Sequence, residues 1–227
     1  MPRHRLSYAR GVRALVLFSA AALLLSACSQ KPLAQLRAQV RDWPGGAGSV
    51  SVLDEQNRTL TSAAIDPVGR LTLPLPDRAQ MQPLLRPDAL QASFSAPGVS
   101  CAGRLLPSNP AARFFTLGSL SAAPTGGPAL RLLSQNPGNR QGDPVRLDRR
   151  TLIYASEDSR VQGELNCPLP GGPLTVSYSL NLKTGWNYAV IHRADYASGQ
   201  KQRSAESVGK EGFEGWTVAP GTTGLEP

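Results

Sequence analysis

The sequence predicts an all-β protein with a β-sandwich-like build. Short stretches of alternating apolar and polar residues recur between turn signals, the pattern of strands that bury one face. The cleanest runs from Thr175 to Leu182. Val176, Tyr178, Leu180 and Leu182 share one face, and Thr175, Ser177, Ser179 and Asn181 the other. Glycine (22) and proline (20) interrupt the 227 residues too often for long helices.

The N-terminus reads as a leader helix that precedes the fold. Arg3, Arg5, Arg10 and Arg13 form a basic region without an acid, and Ala14 to Leu25 is apolar except for Ser19. That run is shorter than the roughly 20 residues a transmembrane helix needs. It closes on Leu25-Ser26-Ala27-Cys28. The arrangement resembles the signal peptide and lipobox of bacterial lipoproteins. The resemblance implies cleavage before Cys28, acylation of that cysteine (palmitate among the chains) and a body outside the cytoplasm. Ser29, which is not Asp, implies the outer membrane if the cell has two. Each buried methylene contributes about 0.8 kcal/mol, and stable anchoring takes more than one chain. The expected order is signal peptide 1–27, lipidated tether 28–34, β-rich domain 35–218 and flexible tail 219–227. If the β-rich part divides, it divides into 35–97 and 98–218.

Cleavage changes the charge and the cysteine count. The leader holds four arginines and no acid, so its loss takes the formal charge from +8 to +4. The remaining charge is scattered, which argues against a nucleic-acid face. With Cys28 acylated, Cys101 and Cys167 remain as an even pair in an oxidising compartment, and a disulfide is expected. They lie 66 positions apart, for which loop closure predicts about 4 kcal/mol.

Leu33, Leu36 and Val40 have helical spacing, but Leu36, Ala38 and Val40 also alternate, and a first strand over Gln35–Asp42 is the favoured reading, ended by Trp43-Pro44-Gly45-Gly46. Ser49–Leu53 is the second, Thr59–Ile65 the third and Arg70–Leu75 the fourth. Asp54-Glu55-Gln56-Asn57 and Asp66-Pro67-Val68-Gly69 are the turns between them. Pro74 and Pro76 assign the fourth strand to an edge. The string Gly48–Pro76 resembles carboxypeptidase-regulatory-like and Cna-B-like modules, small transthyretin-like sandwiches. That resemblance implies a stalk, spacer or binding role and carries no catalytic residue. Asp77 caps a short helix through Leu85, limited by Pro83.

Further strands are expected over Phe114–Leu120 and Leu130–Leu133, with a Gly/Pro loop over Ala122–Pro128. Asn136–Asp148 reads as a polar turn. Val161, Gly163, Leu165 and Cys167 share one parity. Lys183-Thr184-Gly185 reads as a turn that returns Trp186–His192 against Thr175–Leu182 as a hairpin, with glycine at the left-handed position. The stretch 150–192 resembles uncharacterised β-rich envelope lipoproteins and brings no activity. Arg203–Val208 and Phe213–Val218 are the last strands. Phe213 and Trp216 are expected to pack back.

Signals for chemistry are sparse. Beyond the leader His192 is the one histidine, so metal spacing of the C-x-x-C or H-E-x-x-H kind is absent. Gly98-Val99-Ser100-Cys101-Ala102 imitates a nucleophile elbow but lacks the final glycine. Glu157-Asp158 and Glu164 are the clearest carboxylates, yet neighbours on a strand point to opposite faces. Arg140, Arg146, Arg149 and Arg150 form the densest basic group, a weak candidate for an anionic glycan or an acidic envelope protein. Trp43, Trp186, Trp216 and Tyr188 would line a sugar platform if they were exposed. The favoured expectation is a membrane-anchored envelope lipoprotein acting as a non-enzymatic structural or binding module, without cofactor or nucleic acid. The alternatives are a carbohydrate-active or other hydrolase using carboxylates such as Glu157 and Glu164 with His192, and an accessory subunit of an outer-membrane assembly.

Overall fold

The computed structural model describes residues 33–92, 100–136 and 141–219. Cys28, Arg140, the first half of Gly98–Ala102 and residues 220–227 of the expected tail lie outside these. Where side chains alternate, strands form. Leu36, Ala38 and Val40 are buried on β1 (Gln35–Val40) and Val50 and Val52 on β2 (Gly48–Leu53). Leu71 and Leu73 are buried on β4 (Arg70–Pro74), which follows β3 (Thr59–Ile65).

The turns after β2 and β3 are built alike. In the first, Asp54 accepts from the N–H groups of Gln56 and Arg58 and from Arg58 Nε. In the second, Asp66 accepts from the N–H groups of Val68 and Arg70 and from Arg70 Nε. Both need a left-handed residue three positions after the aspartate, supplied by Asn57 (φ 60°) and Gly69 (φ 82°).

Asp77 caps α1 (Arg78–Met81) with a reciprocal capping box to Gln80, and Pro83 lies in the 3-10 turn Gln82–Leu84 that ends it. A second short helix, α2, spans Ala89–Ala92. The remaining strands are β5 (Ala102–Pro107), β6 (Phe114–Leu117), β7 (Leu120–Pro124), β8 (Leu130–Asn136) and β9 (Val145–Ala155). After them come β10 (Ser159–Leu169), β11 (Gly172–Leu182), β12 (Gly185–Asp195), β13 (Lys201–Ser207) and β14 (Gly215–Val218).

The strands wrap two cores. The ladder β1-β4-β3-β2-β7-β8 closes on itself because β14 pairs with β1 in parallel and with β8 antiparallel. Inside it lie Leu36, Val50, Val52, Leu73, Leu120, Leu132 and Trp216. A second sheet runs β9-β12-β13-β11-β10-β5 and covers Leu165, Val176, Leu180, Leu182 and Ala205. β6 adds to it beside β9, and α2 touches both of its edge strands, β5 and β6. The expected Cys101–Cys167 disulfide is present, with Cys167 buried on the inward row of β10.

Three strands belong to both cores. On β9, Leu152 and Tyr154 enter the first core, and Ile153 and Ala155 the second. On β6 the division is Phe115 and Leu117 against Phe114, and on β12 Trp186 against Ala189. This explains why Thr151–Ala155 is buried at every position rather than at every second one.

Several sequence expectations are corrected. Thr175–Leu182 and Trp186–His192 do not form a hydrogen-bonded hairpin. β13 lies between them, parallel to β11 and antiparallel to β12. The Lys183–Thr184 connection is held from outside the ladder. Asp158 accepts from Thr184 N–H, Thr184 Oγ1 and Lys183 Nζ, and Asn187 bonds both backbone groups of Lys183. The expected left-handed glycine is Gly185 (φ 96°). β4 is not an edge strand, since β1 and β3 flank it. Its one proline, Pro74, is tolerated because the β3 ladder is confined to Ile65↔Leu71, and Pro76 lies beyond the strand.

Phe114–Leu120 is two strands, because the chain changes sheet at Gly118-Ser119. The expected loop Ala122–Pro128 begins only after β7 ends at Pro124. Val145–Asp148 is strand, not turn, despite its polarity: β12 pairs with all of it and β8 with its end. The first core is also not confined to 35–97, since β7, β8 and β14 complete it. Phe213 and Trp216 pack back as expected, and Ala219 is buried with its N–H on Arg131 O.

Trp186 sits at the meeting of these elements. Its ring meets Tyr154 at 5.3 Å and Phe115 at 6.2 Å, both edge-on, and its Nε1 donates to Pro76 O at 2.8 Å. Trp186→Ala is expected to cost about 3–5 kcal/mol and Trp186→Phe about 1–3 kcal/mol. Chemical denaturation measures both, and equal stability of Trp186→Ala and wild type would contradict this role.

The Asp54 and Asp66 turns give a pH dependence. Burial raises the Asp54 carboxyl, but its donors from Arg58 and Gln56 outweigh that and hold it below the ordinary value. The Arg70 N–H, then its guanidinium, does the same for Asp66. At Asp158, led by the Thr184 N–H, the carboxyl is held down to about 2. A lowered folded pKa stabilises above the unfolded value near 4 and is lost as pH falls through the folded value. Circular dichroism is expected to show stability falling from about pH 4 towards pH 2, with a shallower fall in Asp158→Asn.

Candidate functional site

A cavity of about 570 Å³ opens where β6 gives way to β7. Leu120 and Ala122 point into the first core, so Ser121 between them on β7 points away from it. Arg131 pairs with Ser121 across the β7–β8 ladder and continues that outer face. The β2–β3 turn supplies a second wall through Leu53, Asp54 and Glu55. A third comes from Leu84, Arg86 and Ala89, between the 3-10 turn and α2.

The charges around the cavity are unevenly paired. The Asp54 side chain is closed off by Arg58 and its own turn, and Glu55 accepts from Arg86 Nη2 at 2.6 Å. Arg131 makes no ion pair with any described carboxylate. Outside the lining, Arg149 reaches over from β9 and donates through Nη2 to the carbonyl of the lining residue Gly118 at 2.8 Å. Its Nε is buried without a partner among the described residues. Burial, then the neighbouring Arg131 and Arg193, lower the Arg149 guanidinium from its ordinary value.

The sequence-derived basic group does not form one patch. Arg149 and Arg150 leave opposite faces of β9. Arg146, exposed, shares the Arg150 face with Asp148 between them. The Arg150 guanidinium packs on the loop at Gly212, and its Nε is buried without a described partner. The aromatic platform is not assembled either. Trp186 and Trp216 are buried, and Trp43 Nε1 bonds Gly46 O in its own turn. Tyr188 stacks on Phe213 at 4.3 Å.

The carboxylates and the histidine also stay apart from the cavity. Glu157 is exposed in the β9–β10 turn, and exposed Glu164 accepts from Asn166. His192 is half-buried on the face it shares with Asp148 and Ser204, which are its register partners on β9 and β13. Its Nδ1 meets Asp148 Oδ1 at 2.8 Å, and its Nε2 meets Glu206 Oε1 at 3.2 Å rather than Ser204. A base bridging two carboxylates is held in place on both sides, which is a structural use of the ring. On the opposite face Asp195 binds both Arg193 and Arg203. Among the described residues no group of three metal-ligating side chains converges.

Sequence reasoning missed Arg131 and Gly118. Nothing in Leu130-Arg131-Leu132-Leu133 marks that arginine as different from any outward strand residue. No protein-family model, curated protein or solved structure is significantly similar to this chain.

Burial lowers the His192 pKa, but Asp148 and then Glu206 more than reverse this, so it is raised above 6.5. A raised folded pKa stabilises fully below the unfolded value and is lost as pH rises through the folded one. NMR titration is expected to place His192 above pH 6.5 and Asp148→Asn below wild type. A value at or below 6.5 in wild type would contradict the bridging geometry.

Proposed function

We propose that this chain is a lipid-anchored cell-envelope lipoprotein whose β domain is a non-enzymatic binding module, with the cavity beside the β6–β7 link as its site. The anchor reading rests on Leu25-Ser26-Ala27-Cys28 after its apolar run. Among the described residues no helix is long and apolar enough to cross a membrane. The binding reading is carried by the cavity itself. It has the size of a small-ligand site, and its lining mixes leucines, alanines and Phe115 with polar and charged side chains. The carboxylates in that lining, Asp54 and Glu55, already serve a turn and an ion pair, which leaves them poorly placed for acid–base chemistry.

The hydrolase alternative draws support from the row Asp148–His192–Ser204. There His192 Nε2 is turned to Glu206, so the base is not presented to the serine.

Membrane fractionation tests the anchor. Cys28→Ala is expected to move the protein from the membrane to the soluble fraction, and continued sedimentation with membranes would overturn that reading. Hydrolysis of glycosides or esters by purified protein, abolished by His192→Ala, would favour the alternative.

A further inference from the structure

We propose that the outer face of β1 and β4 docks on the anionic headgroups of the membrane that carries the Cys28 anchor, and that this turns the cavity at β7 away from the bilayer. The inference rests on the anchor reading above and adds to it which face of the β domain meets the lipid.

The tether is short. Five peptide bonds join Cys28 to Leu33, where the described residues begin, and a chain spans at most about 3.6 Å per residue. Acyl chains on Cys28 therefore keep β1 close to the surface. Docking becomes intramolecular, so a face of modest affinity suffices. From Cys28 through Arg41 the chain holds Lys31, Arg37 and Arg41 and no acid.

The fold sets these arginines outward. Alternation on β1 buries Leu36, Ala38 and Val40 and leaves Arg37 and Gln39 exposed, and Arg41 beyond its end is exposed too. Across the ladder Arg37 faces Thr72 and Gln39 faces Arg70. These four residues, with Arg41 and Glu214, line an open hollow of about 490 Å³. Three arginines thus stand against one carboxylate in the lining. Arg70 is paired with Asp66, which lies outside the hollow. Arg37 donates through Nη2 and Nε to the Gln35 amide oxygen, a neutral acceptor, in that amide's bonded orientation. Neither Arg37 nor Arg41 is within ion-pair distance of a described carboxylate. Asp42, the next acid along, accepts from the Val218 N–H.

The turn beside the arginines favours a lipid surface over a dissolved anion. Val68 is 57 % exposed there, and Gln39 Nε2 donates to its carbonyl at 3.2 Å, which fixes the turn to the basic face. An apolar tip beside cations suits the boundary between headgroups and acyl chains, whereas a dissolved anion leaves that tip in water. In the closed ladder two strands separate β4 from β7 on one side, and two separate β1 from β7 on the other. β7, with the cavity on its outer face, therefore stands opposite the docking face.

The test reconstitutes the full lipoprotein into vesicles of phosphatidylcholine, alone or mixed with phosphatidylglycerol, each holding a little headgroup-spin-labelled lipid. With Cys28 acylated and Cys101 bonded to Cys167, a cysteine introduced by Thr72→Cys or Ala129→Cys is the one free thiol for a fluorophore. Thr72 lies in the hollow, and exposed Ala129 lines the cavity. In anionic vesicles quenching is expected to be strong at Thr72 and weak at Ala129, and in neutral vesicles to fall at Thr72. Each arginine near an anionic surface contributes roughly fivefold, so Arg37→Gln with Arg41→Gln should lower the docked-to-free ratio about twentyfold, while Arg37→Lys with Arg41→Lys should keep it. Each variant is first shown to have the wild-type circular dichroism spectrum. High salt should release the face with both arginines intact, a readout that needs no variant of them. Equal quenching at the two positions, indifference to the arginine pair, or equal quenching at Thr72 in neutral vesicles would overturn the proposal. So would emission at Thr72 that soluble polygalacturonate moves and anionic vesicles do not, which would give the face to an acidic glycan. Flotation keeps the two readings apart. A chain that floats with neutral vesicles has its anchor whatever the quenching shows. If it floats with the anionic ones alone, the anchor fails and the face holds; flotation with neither overturns both.

Discussion

The whole arrangement depends on one wall that serves two hydrophobic cores. β6, β9 and β12 send alternate side chains to opposite sides, and each side is buried. Such strands cannot slip by a single residue without exchanging the contents of both cores, so their register is fixed more firmly than that of a strand with one wet face. Trp186 marks the strongest point, where β12, β9, β6 and the Pro76 carbonyl converge. From this wall follow the closure of the first ladder through β14 and the need for α2 to cover the edges of the second sheet.

The candidate site is a by-product of that sharing. β6 belongs beside β9, whereas β7 belongs to the first ladder, so the chain must leave one sheet for the other at Gly118-Ser119. Among the described residues no strand lies over the outer face of β7 and β8, and the β2–β3 turn and the approach to α2 line a cavity there instead. A Cβ at Gly118 would meet Arg149 Nη2 at 3.2 Å, which ties the absence of a side chain there to the seat of the arginine. The chemistry of the site thus comes from residues whose placement is dictated by the sheet change.

Much of the fold is legible in the sequence where one face is wet. β1, β2, β4, β10 and β11 alternate, Asp77 and Gln80 spell a capping box, and Cys101 with Cys167 is a pair left over for one bond. Legibility fails where burial is two-sided or where a partner comes from far away. Val145–Asp148 looks like a turn because its charged side chains lie beyond both cores, although β12 pairs with it throughout. The β11–β12 turn is correctly placed, yet a turn signal reports the reversal of the chain and not what lies between its arms. The entry of β13 there is a long-range choice, sealed by Ser207 bonding both backbone groups of Asn181. The site was less legible still. Arg149 stood out only as one of a basic group whose members face apart, and Arg131 and Gly118 gave no local sign.

The central claim is that the shared wall makes the β domain one cooperative unit. Native-state hydrogen exchange measures this directly, by comparing the amides of Val50 and Val52 in the first core with those of Val176 and Leu180 in the second. The account predicts that the slowest of these exchange with the same opening free energy and the same denaturant dependence. A second core that opens at markedly lower free energy while the first stays protected would contradict it.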